Sequence, residues 1–362
     1  VNKVKTLLIF NYIKYYIMST LKKIDKEHPK ILFGKTGVLI INLGTPKSYK
    51  WLDIRKYLKE FLSDSRVIET NKVLWFFILN FIILSFRPHK TARNYKKIWL
   101  EDEDVSPLKF YTELQREKLQ KKFLQKDVIV DYAMRYGDPS IKEKIHSLKN
   151  KGCDDIIVLP LYPQYAAPTT ASVCDEVFRT LIKMRWQPNI KIVPHYDSNP
   201  FYIKALSNSL NKSLKKLDYK PDLVIASYHG IPEKYFLDGD PYHCYCHKTT
   251  RLLKEEMSIS IPFLTTFQSR FGPQKWLEPY TDQTLRSLPS KGIKKILIFC
   301  PGFASDCIET LEEIKMEAKE IFLENGGLNF EYVPCLNDNN DHINLMYNLC
   351  LLYTSPSPRD NR

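Results

Sequence analysis

Two groups of residues in this chain could do chemistry together: a histidine at the end of an apolar run, and a row of glutamates. His229 closes the run in Asp-Leu-Val-Ile-Ala-Ser-Tyr-His-Gly-Ile-Pro (222–232). An earlier stretch, Gly-Val-Leu-Ile-Ile-Asn-Leu-Gly-Thr-Pro (37–46), has the same form but carries Leu43 where the later one has His229. Imidazole has an ordinary pKa of about 6.5, which suits it to take a proton near neutral pH. Glu309, Glu313 and Glu317 recur at i, i+4 and i+8, so three like charges share one helix face. They repel one another and want a cation. Lys294 or Lys295 could supply it, or a divalent metal held by carboxylate oxygens with an imidazole at the inner end. Asp306 stands three residues before Glu309, the spacing of a capping box, and is expected to cap the helix carrying the row.

Three pairs of segments recur across the chain and define the elements that must position these groups. The two apolar runs above are the first pair. Arg-Tyr-Gly-Asp-Pro (135–139) and Arg-Phe-Gly-Pro (270–273) are the second. Lys-Gly-Cys-Asp-Asp-Ile-Ile-Val-Leu-Pro (151–160) and Lys-Gly-Ile-Lys-Lys-Ile-Leu-Ile-Phe-Cys-Pro (291–301) are the third. Short aliphatic runs without alternation suit strands covered on both faces. Helical periodicity fills the intervals at 51–63, 106–124, 140–150, 170–184, 201–216, 246–257, 275–288 and 307–324. Strands alternating with helices imply βαβ units. The expected fold is α/β: two similar, doubly wound, Rossmann-like lobes with parallel sheets facing across a cleft. The lobes are expected at 36–190 and 191–349, with the crossover inside 186–220 and an extension over 1–35. In such sheets ligands sit beyond the strand carboxyl ends, where His229 stands.

Composition narrows the function. The formal charge is +13, of which residues 1–17 carry +3 and 350–362 carry +1, leaving +9 for the core. The excess lysine is interleaved with Glu and Asp along helical stretches, which reads first as solvated helix faces, then as a surface for an anionic membrane or an acidic substrate. No basic stripe interleaved with aromatics marks a nucleic-acid module. No Gly-x-Gly-x-x-Gly or phosphate loop follows a strand, so nucleotide binding has no support. The eight cysteines are scattered, Cys244 and Cys246 being the one close pair, which fits a reducing compartment. Residues 1–17 precede Met18, and 350–362 read unlike the rest; both are expected to be foreign to the native chain. Val73–Phe86 is apolar on nearly every face over 14 residues, short of the about 20 that span a bilayer. A buried core helix is one reading. Flanking Lys72, Arg87 and Lys90 favour the other, a helix lying on a membrane surface.

The strings LGTP (43–46), YPQYAAPTTA (162–171), SYHGIP (227–232), GDPYHCYC (239–246), FQSRFGPQKWLEPYTD (267–282) and PGFASDCIETLEE (301–313) resemble those of ferrochelatase, closest to the bacterial, alphaproteobacterial-like type. The resemblance runs from about Gly37 to Asp338. It implies insertion of ferrous iron into protoporphyrin IX to make protohaem. His229 would be the metal-facing base and Glu309 its acidic partner, with Glu313 and Glu317 on an acidic line to solvent. The implied porphyrin pocket comprises Leu43, Arg87, Lys90, Tyr95, Ser106, Arg135, Tyr162, Ser269, Trp276 and Phe303, with Asp306 beside them. The segment 73–86 would be the lip that guards the pocket and touches the membrane.

Metal insertion displaces two pyrrole protons, hence the base. Aromatic walls can hold the macrocycle bent, and cations can take its propionates. Fe2+ enters as substrate, and no organic cofactor is implied. The vertebrate iron–sulfur pattern is broken: Ala167 stands at one cluster position and the C-terminal cysteine group is absent. Cys244 and Cys246 supply two thiolates where common clusters need four, so no cluster is expected. His243–His247 reads as a loop packed on its own aromatics, with adventitious or regulatory metal binding as the alternative. Cys307 stands where mitochondrial relatives have histidine; it reads as a buried thiol or a softer ligand. His28, His195 and His342 belong to no metal-ligand spacing and are expected at the surface or in turns. The expected location is cytoplasmic, peripheral to the inner membrane, and a homodimer is left open. The alternatives are another tetrapyrrole metal chelatase or a non-enzymatic porphyrin carrier.

Overall fold

The structure, a computed structural model, describes residues 10–19, 28, 31–124 and 127–354. Its frame is two four-stranded sheets, parallel throughout. The first holds β1 (Lys35–Gly44), β2 (Val128–Tyr136), β3 (Cys153–Pro160) and β4 (Asn189–Ile192), in the order β2-β1-β3-β4. The second holds β5 (Leu223–His229), β6 (Phe263–Gln268), β7 (Lys295–Phe299) and β8 (Asn329–Val333), in the order β6-β5-β7-β8. The two orders are the same when the halves are superposed, so the repeated segments occupy equivalent strands. The central strands β1 and β5 are buried almost end to end, as parallel strands covered on both faces must be.

The two sheets share part of their core. One continuous core takes in Val38, Ile40 and Ile157 of the first sheet together with Val224, Ala226 and Leu297 of the second. Helices Pro107–Lys122, Pro200–Leu214, Tyr242–Met257 and Asn340–Thr354 contribute Leu119, Leu206, Leu253 and Leu345 to that same core. Each sheet has two apolar faces, and burying the inner pair joins the halves.

Several boundaries differ from the sequence expectation. Strand β4 runs across the expected division at 190. Helix Asn340–Thr354 continues through the expected break at 350, with Cys350 fully buried; residues 1–9 and 355–362 lie outside the described residues. Of the helix expected at 275–288, Thr281–Ser287 forms. The preceding backbone is drawn into other bonds: Leu277 N–H to Ile231, and Lys275 and Pro279 carbonyls to Glu233 and Phe267. The knot at 243–247 is helical, because its helix begins at Tyr242.

The segment 73–86 lies in one continuous helical stretch, Lys72–Ile98. Asn71 caps its start, its side chain accepting from the Val73 and Leu74 amides. Leu79 and Leu84 are buried against Ile54 and Tyr57, each contributing about 2 kcal/mol of apolar burial. The opposite side is open: Val73, Leu74, Phe76, Phe77, Phe81, Ile82 and Phe86 are all exposed. The core-helix reading thus holds for one face alone.

Candidate active site

His229 is the last residue of β5, and its backbone setting fixes its chemistry. Gly230 follows it where a side chain would be crowded: a Cβ there would sit 3.0 Å from the Gln268 carbonyl and 3.2 Å from the Trp276 ring. At the matching position ending β1 the demand is stricter: Gly44 has φ +112°, and a Cβ there would sit 1.8 Å from the Tyr136 carbonyl oxygen. Nδ1 of His229 lies 2.6 Å from the Gly230 carbonyl, which can only accept. Nδ1 therefore carries the proton, and a neutral His229 presents the Nε2 lone pair as base. Trp276 flanks the ring at 6.5 Å between centroids, its own Nε1 donating to the Phe271 carbonyl.

The glutamate row begins the stretch Glu309–Ala318, where the helix widens to i→i+5 hydrogen bonding. Two other stretches widen in the same way, Ile78–Ile83 in the apolar helix and Ala167–Ala171 after β3. Such turns are uncommon and gather at functional sites. Glu309 and Glu313 are half-buried and Glu317 is exposed. Glu313 accepts from the Ser269 amide (2.7 Å) and the Ser269 hydroxyl (2.5 Å). Burial, and then the charge of Glu309, push the Glu313 carboxyl up to about 7 despite these donors.

That shift fixes a pH dependence. The unfolded chain gives up this proton near the ordinary glutamate pKa, the folded chain only near 7. Stability from this group is therefore lost as pH rises through that window. Glu313→Gln is expected to stabilise the fold at pH 8 by up to about 3 kcal/mol relative to pH 5. Thermal melts of both proteins at the two pH values check this; a gain independent of pH contradicts it.

Around Glu309 the structure gathers Leu43, Tyr57, Tyr95, Ser106 and Cys307, which line a cavity of about 10 Å³, room for one water. Burial and the nearby Glu309 charge hold the Tyr95 phenol well above its usual range, and burial and Tyr95 do the same for Tyr57. Burial likewise keeps Cys307 a thiol, which favours the small buried side chain over a metal ligand. Ser106 also caps helix Pro107–Lys122 through the Lys109 amide. Lys97 of the apolar stretch pairs with buried Glu312 at 2.7 Å, tying that stretch to the acid helix.

Among the described residues, the Tyr162 hydroxyl and Nη1 of Arg87 are buried near the site without hydrogen-bond partners. Arg87 lies over the Phe271 ring at 4.6 Å, and burial lowers its pKa. Orphaned buried donors are costly unless a ligand satisfies them, so both fit a substrate bearing carboxylates. Lys90 is exposed on the same helix, and Phe303 is half-buried against the core clusters of the second sheet.

Three expected pocket residues are occupied elsewhere. Arg135 forms a buried ion pair with Asp64 at 2.5 Å and donates to Ser172, so it reaches the site only through its field on Tyr162. The Ser269 hydroxyl is taken by Glu313. Asp306 does not cap the acid helix: its own amide donates to Asn337, and the helix starts after Ile308. Its carboxylate is buried and accepts from Tyr332, Thr310 and Asn337. Among the other histidines, His342 is buried in helix Asn340–Thr354 with its pKa lowered to about 4 by burial, against the surface or turn position expected, whereas His195 lies part-exposed in the loop after β4 and pairs with Asp197.

Sequence reasoning passed over Gln268, although it stands in the motif at 267–282. It pairs in register with His229, and its side chain reaches Glu309 and Glu313. Among the described residues no three His, Cys, Asp or Glu side chains converge as a closed metal cage.

The family model for ferrochelatase matches residues 35–352. This chain belongs to the ferrochelatase family. It is 51% identical over 328 residues to the ferrochelatase of Allorhizobium ampelinum, covering 90% of this chain and 95% of that one. The ferrochelatase of Francisella tularensis subsp. tularensis is 52% identical over 321 residues, covering 88% and 95%. In fold, the chain resembles SirB from Bacillus subtilis, solved with Fe3+, at a TM-score of 0.52 and 13% identity, covering 88% and 95%. Membership agrees with the bacterial resemblance of the motifs and with the two matching parallel sheets.

Proposed function

We infer that this chain inserts ferrous iron into protoporphyrin IX, forming protohaem and releasing two protons. The observation that carries the reading is His229, whose Nδ1 is tied to Gly230 so that Nε2 is left as the base. It takes pyrrole protons, and Glu309, Glu313 and Glu317 hand iron in and protons out along the acid helix. Arg87, with Lys90 at the rim, holds the propionates; Tyr162, Tyr95, Leu43, Trp276 and Phe303 form the walls that bend the macrocycle. A carrier would need no acidic row. Glu309→Gln is expected to bind protoporphyrin as wild type does while turnover falls about 100-fold. A variant that keeps full turnover removes Glu309 from the mechanism.

The same reading seats the protein on the cytoplasmic face of the inner membrane. Its support is the open apolar face at 73–86 beside Lys72 and Lys90, with the other face anchored in the protein core. An anchored helix of this kind lies in the interface. Replacing Phe77 and Phe81 together by Glu is expected to cut sedimentation with anionic phosphatidylglycerol vesicles at least about ten-fold. Unchanged sedimentation contradicts the proposal. No iron–sulfur cluster enters this reading: Cys244 faces solvent and Cys246 the core, on different sides of one helix.

A further inference from the structure

Gln268 ends β6 with its backbone carbonyl and both polar atoms of its side chain engaged. Its backbone carbonyl accepts the Gly230 amide at 2.8 Å, with the residue itself in register opposite His229. Its side-chain Oε1 accepts from the Ser227 hydroxyl at 2.7 Å and the Cys300 thiol at 3.6 Å. Its Nε2 donates to the Glu309 carbonyl at 2.8 Å and to a Glu313 carboxylate oxygen at 3.4 Å. Donors surround one end of the amide and acceptors the other, which fixes its orientation. The bond to the Glu309 carbonyl enters the helix at the point where it widens, and a side chain entering the ladder is one cause of such distortion.

We propose that Gln268 is a positioning residue for metal transfer: its backbone holds the His229 strand end while its amide holds the first turn of the acid helix. The inference rests on the iron-insertion reading. Without the amide, the acid helix is free to drift from the base, and misplacement of a reacting group is costly. Porphyrin binding, which depends on Arg87, Tyr162 and the apolar walls, does not pass through Gln268. A glutamine that merely fills the core would affect both substrates alike.

The test varies iron and protoporphyrin separately in anaerobic steady-state assays of the full chain. Gln268→Met keeps the side-chain length and removes its hydrogen bonds. Ser227→Ala loosens the Oε1 end and also gives up the 2.9 Å contact with the Thr281 hydroxyl, leaving the Nε2 end untouched. For Gln268→Met the KM for ferrous iron is expected to rise about ten-fold, with protoporphyrin KM within about two-fold of wild type. Ser227→Ala should shift the iron KM the same way, by about three-fold. An unchanged iron KM, or parallel rises in both KM values, overturns the proposal. If Gln268→Met does not fold, Ser227→Ala decides by the same two results. Wild-type protein that makes no haem overturns the iron-insertion reading itself. A wild type that turns over, with variants lacking an iron-specific defect, overturns this inference alone.

Discussion

His229→Ala is expected to reduce haem formation by about 100-fold to 10,000-fold while protoporphyrin still binds. The argument is geometric. With Nδ1 bonded to the Gly230 carbonyl, Nε2 is the one ring atom available to accept a proton, and the side chain stands at the carboxyl end of the central strand of its sheet. Alanine there removes the base without opening the core, because the ring sits at the strand end and is only half-buried. Steady-state turnover, with porphyrin affinity from absorbance titration, checks the split. A variant retaining a tenth of wild-type turnover would place the proton acceptor elsewhere.

Asp306→Ala should unfold the protein more readily rather than weaken its grip on substrate. The carboxylate is 4% exposed and accepts from the Tyr332 hydroxyl at 2.5 Å, Asn337 Nδ2 at 2.7 Å and Thr310 Oγ1 at 3.2 Å. Deleting it strands those donors in a dry site, at a cost of about 3–5 kcal/mol and a fall in Tm of about 10 °C. Because Thr310 lies in the first turn of the acid helix, loss of activity should follow loss of fold. An unaltered melting temperature with a raised protoporphyrin KM would return Asp306 to the substrate pocket.

Asp306 also shows where sequence pattern misleads. Its spacing from Glu309 satisfies a capping box, but Asn337, over thirty residues away, takes its amide instead. The duplicated sheets were legible because their signal is local: aliphatic runs at 38–41 and 223–226 leading to Gly44, where a Cβ is blocked, and Gly230, where one would be crowded. His229 and the glutamate row were legible because their types and spacing suffice. The commitments of Arg135 to Asp64 and of Ser269 to Glu313 were not, since each joins segments far apart in the chain. The fused core escaped notice for a related reason. An aliphatic run announces that both faces of a strand are covered, without saying that the cover on one face is shared with the other sheet. The backbone at 275–280 reads as helical by period, and only its bonds to β6 and to the segment after β5 remove it.

The most direct measurement mixes purified protein, protoporphyrin IX and ferrous iron without oxygen in weak buffer, following the haem spectrum and proton release together. The account predicts a protohaem band growing with two protons released for each haem, both suppressed when His229 is replaced. No haem band above the protein-free control, or haem formed at the same rate without His229, would contradict it.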